Sequence, residues 1–137
     1  MLNLLPIDIR VLWVRCNIIS REIQDLRSVC SYVTESSKLL ISAEINNLAY
    51  PLCRNKQEEV FNFLGVVISH RKAIEALVDR CSDFRRMLMQ HGYTHMLLKK
   101  MLEEELHLFD MMRNMGEAQI GLLQYDNELK LHEMSLY

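Results

Sequence analysis

Two carboxylate–histidine spacings, a histidine pair and four cysteines are the residues of this 137-residue chain whose types could do chemistry. Glu104-x-x-His107 has the spacing by which di-iron bundles place two ligands on one helical face. Such a centre needs a second ExxH pair and two further glutamates, whereas Glu128 and His132 stand four apart. No di-metal site is expected. His91 and His95 are also four apart, but Gly92 lies between them at an expected helix break, so zinc is not expected there. His70 falls inside an apolar run, where a hydrogen-bonded core histidine is the expectation. The chain holds no Gly-rich phosphate loop and no nucleophile elbow. No catalytic residue, metal or cofactor is assigned, and the sequence does not read as an enzyme.

Cys16, Cys30, Cys53 and Cys81 are scattered, without a CxxC pair or metal-ligand spacing. They read as reduced, buried small hydrophobes, which points to a cytoplasmic setting. The start, MLNLLPIDIRVLWVR, is broken by Asp8 and Arg10 and lacks a signal-peptide core. No apolar run approaches the ~20 residues a membrane helix needs, so no membrane insertion is expected. A net charge of −2 gives no support to nucleic-acid binding.

The elements that must carry these residues are helices. Half the residues are hydrophobic, and only four glycines and two prolines punctuate the chain. Ile9, Leu12, Cys16, Ile19, Ile23, Leu26, Cys30 and Val33 alternate by three and four, which is a heptad seam. Pro6 suits the first turn of this helix. The seam predicts a helix over about 7–49, with Ser36-Ser37 as a candidate break and Tyr50-Pro51 as a stop. Asn55 and Glu58 have the form of a capping box for a second helix over 56–90. Its seam is Val60, Phe63, Val67, His70, Ile74, Leu77, Cys81, Phe84 and Leu88. Gly92 is a natural left-handed terminator, and Thr94 the next N-cap. A third helix follows over 95–134, with a broader apolar set that includes Leu97, Met101, Leu106, Phe109, Ile120 and Leu123. The fold expected is all-α: one domain, residues 1–137, forming an elongated antiparallel bundle of three to four long helices with coiled-coil-like packing.

Charge and methionine are unevenly spread. Residues 80–100 hold five Lys/Arg against Asp83, whereas residues 103–133 hold eight acids against Arg113 and Lys130. Solvated faces, with Arg80 meeting Glu103–Glu105 across a hairpin, account for this; an acidic docking face on the last helix is the alternative. Eight of the nine methionines lie within residues 87–134. They fit either gap-filling in a core or a surface that grips apolar helices of other proteins. The excess apolar width of the third helix argues for the second.

The stretch HRKAIEALVDRCSDFRRML holds Lys72 followed by the spaced Ile74, Leu77 and Leu88. RNMGEAQIGLLQYDN offers Asn114, Gly116, Gly121 and Asn127, and the chain closes on Leu136-Tyr137. In order, over residues 37–137, these marks resemble the FlgN/FliT-like export chaperones of flagellar type III secretion. The resemblance implies a cytoplasmic chaperone, a monomer or small homodimer, that binds the helical terminus of a hook-associated export substrate. It implies that Met112, Met115, Ile120 and Leu123 line the client groove and that Tyr137 contacts the membrane export gate. The two clean seams fit a coiled-coil structural subunit of a larger assembly equally well. Gly116 and Gly121 each cost ~1 kcal/mol against alanine inside a helix. Either close helix approach or backbone room beside a client helix is the expected compensation.

Overall fold

The computed structural model describes residues 8–92 and 95–137. It is all-α, with three long helices: α1 (Ile9–Leu40), α2 (Tyr50–Gln90) and α3 (Met96–Ser135). The placements expected for Pro6 and Thr94 lie outside the described residues. At 1.5 Å per residue, the 41 residues of α2 make a rod of about 60 Å.

α1 opens on Asp8, whose carboxylate accepts from the Arg10 backbone N–H at 2.9 Å. Its seam packs inward almost as spaced: Leu12, Cys16, Ile19, Ile23, Cys30 and Val33 are buried, Leu26 is half-buried, and Ile9 stays exposed. Ser36-Ser37 does not break the helix. Ser37 is buried, and its hydroxyl donates to the Thr34 carbonyl at 2.8 Å, so the helix tolerates it by satisfying it locally. The end comes instead at Leu40, followed by a 3-10 turn over Ile45–Asn47. The expected helix through residue 49 is therefore replaced by a connection, whose Ile41, Ile45 and Leu48 pack on the core.

Pro51 acts as a start, not a stop. It sits in the first turn of α2, where the missing N–H is no loss, and Ala49 is the N-cap. Asn55 and Glu58 fall inside the helix and form no capping box. Starting early brings Cys53 into the seam, fully buried. α2 ends at Gln90, and Gly92 takes φ 77°, the left-handed value expected of a terminator.

Contacts fix the topology as up-down-up. Cys81 faces Met101 and Cys53 faces Leu129, so α2 and α3 are antiparallel; Asn17 meets Lys100 and Cys30 meets Met111, so α1 and α3 are parallel. Three thiols donate to α3 carbonyls: Cys53 to Leu129 at 3.4 Å, Cys81 to Met101 at 3.5 Å, Cys30 to Met111 at 3.9 Å. Small side chains at these seam positions let α3 lie close. Polar pairs border the α2–α3 seam: Arg85 with Glu105 at 2.8 Å, Arg71 with Gln119 at 3.0 Å and Arg54 with Glu133 at 3.1 Å. Arg80 does not reach Glu103–Glu105. It pairs with Glu22 on α1, because its side of α2 faces α1. No described helix is long and apolar enough to cross a membrane.

Candidate functional site: unpartnered apolar faces

The third helix carries two ladders on opposite sides. The inner one is Leu97, Met101, Leu108, Met111, Met115, Ala118, Leu122, Tyr125 and Leu129, all buried. The outer one is Leu102, Leu106, Phe109, Ile120, Leu123, Leu131 and Met134, from 43% to 68% exposed. The outer positions continue the same three-four repeat through Arg113, Gly116 and Asn127. A helix presenting apolar residues on both sides is expected where neighbours pack on both, and within the described chain α1 and α2 both pack on the inner side.

The sequence-expected site residues divide between these ladders. Ile120 (57% exposed) and Leu123 (43%) stand on the outer stripe. Met112 is half-buried against the core. Met115 belongs to the core: it is fully buried, so it cannot line an exposed groove. One turn from Met111 and two turns from Leu122, it lies on the buried inner ladder. Tyr137 is exposed at the end of the bundle, its ring edge-on to Tyr50 at 5.9 Å. The Tyr50 hydroxyl beside it raises the Tyr137 phenol above its ordinary pKa.

Gly116 lies on the outer stripe, and a Cβ built there meets nothing within 4 Å. Close packing inside the chain therefore does not account for it. Gly121 faces the α1–α2 connection, where a Cβ would stand 3.5 Å from Ile41 Cδ1, an ordinary contact.

Around the stripe the acids sort by role. Glu105 and Glu133 are buried and bonded from α2, and Glu104 accepts from Ser20 at 3.0 Å. Hydrogen bonds from Gln57 and Arg54 hold the Glu133 carboxyl below the ordinary carboxylate range. Glu103, Glu117 and Glu128 remain exposed, Asp110 pairs with Arg113, and Asp126 pairs with Lys130. Sequence reasoning missed the two buried acids, because their partners are on another helix.

A second open feature runs between α1 and α2. Three adjoining hollows of about 440, 460 and 540 Å³ follow one another from Phe84 and Ile18 to Asn62 and Val33. His70 lies against the last of them, 8% exposed. Burial lowers its pKa, a hydrogen bond to the Leu26 backbone opposes the shift, and Nε2 has no partner. Among the described residues, no group of three or more His, Cys, Asp or Glu is placed to hold a metal, and Glu104–His107 gathers no further ligand. The arrangement offers binding surfaces. Set against known proteins, the chain matches no family model, no curated protein and no solved structure.

Proposed function

We propose that this chain is a helix-binding protein that receives an amphipathic partner helix on the outer stripe of α3. The observation that carries the reading is the stripe itself: Leu102, Leu106, Phe109, Ile120, Leu123, Leu131 and Met134 on one three-four repeat that Arg113, Gly116 and Asn127 interrupt, uncovered by the described chain. Gly116 in its centre leaves backbone room for a helix to approach. The exposed Glu103, Glu117 and Glu128 favour a partner helix with basic flanks. At about 25 cal/mol per Å², a few hundred Å² of apolar contact offsets the entropy of ordering that helix.

The biological setting proposed is export. The resemblance to FlgN/FliT-like proteins supplies the client, the helical terminus of a type III substrate, and gives Tyr137 contact with the export gate. On this reading the chaperone works in the cytoplasm, and its mechanism is shielding: an aggregation-prone helix is held until it is passed on. Titration with a lysine-flanked peptide bearing leucines at three-four spacing should give saturable one-to-one binding of micromolar strength. An absence of binding contradicts the proposal. The exposed Val14, Tyr32 and Leu39 of α1 favour a second reading, a coiled-coil subunit of a larger assembly. Such a subunit forms large open oligomers in light scattering, and a chaperone does not.

A further inference from the structure

α1 carries a second heptad ladder beside its buried seam. Val11, Arg15, Ile18, Glu22, Asp25 and Val29 alternate by four and three, and the three apolar members are about half exposed, at 52%, 49% and 49%. The ladder runs along the open α1–α2 groove, whose hollows it lines through Arg15, Ile18, Glu22, Asp25 and Val29. The facing wall of α2 sets the short side chains of Gly65, Ser69, Ala73 and Ala76 among larger ones, Val66, Leu77 and Phe84, and stays open along its length. We infer that the occupant is α1 of a second copy of this chain, lying antiparallel to the first about a two-fold axis.

The charge pattern selects this occupant. When two such ladders run antiparallel, Val11 faces Val29, Arg15 faces Asp25 and Ile18 faces Glu22. Two-fold symmetry makes every contact twice. Arg15 and Asp25 form no ion pair within the described chain. Arg15 instead lies over the Phe84 ring, 5.0 Å from its centre, at the mouth of the groove. Glu22 is bridged across to Arg80 of α2, which fixes its carboxylate and leaves its aliphatic stem to receive Ile18 of the other copy. A slip of one heptad toward the C-terminus sets Glu22 against Asp25 twice, and that repulsion opposes the alternative register. In this register the valines at the two ends meet each other and the charges without an internal ion pair, Arg15 and Asp25, meet opposite signs, while Ile18 meets the stem of Glu22. A foreign helix would not require that. No α3 residue lines the groove, so the inference stands apart from the helix-binding role of α3.

Gel filtration with light scattering on the full chain tests it. The wild-type protein is expected at the mass of two 16.2 kDa chains. Arg15→Asp and Asp25→Arg each place like charges together twice and weaken the dimer by about tenfold or more. The double variant, with the charges exchanged, restores it. Both positions are exposed, so circular dichroism should be unchanged throughout. A monomeric wild type, single variants as dimeric as wild type, or a double variant that fails to recover each overturns the inference. Val11→Cys combined with Val29→Cys checks the register. The two sites are ~27 Å apart on one helix, so only an intermolecular disulfide can form. Oxidation should yield a covalent dimer, and a dimer that does not cross-link overturns the antiparallel pairing.

Discussion

The α2–α3 interface and the α1–α2 interface are built from similar seams and end in opposite states. Along α2–α3, Val60, Val67, Ile74, Cys81 and Leu88 meet an unbroken inner ladder of α3, and Arg54, Arg71 and Arg85 reach across it. Along α1–α2, the Arg80–Glu22 pair spans a groove walled by Gly65, Ser69 and Ala73. Side-chain volume makes the difference. α2 turns an unbroken row of large apolar residues to α3, and to the groove it turns a row in which glycine, serine and alanine interrupt Val66, Leu77 and Phe84. The first interface is closed along its length, and the second leaves a groove open beside the core.

Breaking the closed interface should have the largest effect. Leu122 is fully buried, and Leu122→Ala should cost about 2–5 kcal/mol in urea unfolding. Val66, on the groove wall and 47% exposed, should cost no more than about 0.5 kcal/mol as Val66→Ala. Equal losses at the two sites would erase the distinction.

Acid should act next, through groups in both regions. His70 titrates below its ordinary 6.5 in the folded chain because burial disfavours its charged form. The unfolded chain then binds the proton more readily. Stability is fully present above 6.5 and is lost as the pH falls through that value toward the folded pKa. Glu133, held low by Gln57 and Arg54, adds a loss in the same direction at lower pH, as the carboxylate that accepts those bonds is protonated. Urea midpoints should therefore decline on acidification, and His70→Leu should flatten the first part of that decline. A slope unchanged by His70→Leu would remove the histidine from this account.

The smallest structural effect concerns the thiols. Burial raises Cys16 and Cys30, and takes Cys81 up to about 12. All four cysteines are buried and unpaired. A thiol reagent at neutral pH should react slowly with the folded protein and with all four residues once urea unfolds it. Rapid labelling of the folded chain at Cys53 or Cys81 would mean that the α2–α3 seam opens.

Much of this architecture was legible in the sequence, for a physical reason. The seams of α1 and α2 are strict three-four repeats, and such a repeat has one helical solution. Pro51 is ambiguous in sequence, because proline is compatible with a helix stop and with a first turn, and only the early burial of Cys53 favours the second. The connection after Leu40 looked helical because Ile41, Ile45 and Leu48 are apolar for their contact with the core. α3 was the hardest. Its apolar excess was visible, yet composition did not show which residues face α2. The sequence leaves Met115 free to face either side and carries no local mark of Tyr125 and Leu129 as core residues, and all three are buried. Burial of Glu105 and Glu133 depends on Arg85 and Gln57 from a different helix, which no local pattern carries. The glycines raised the right question. Only the empty space around Gly116 separated a packing role from an open face.

The central claim is that the outer stripe of α3 binds a helix and is dispensable for folding. Ile120→Asp tests it most directly, by peptide titration alongside circular dichroism. With Ile120 57% exposed, the variant should keep wild-type helicity and lose the lysine-flanked amphipathic peptide. Loss of helicity would instead make the stripe ordinary core, and unchanged peptide binding would place recognition elsewhere.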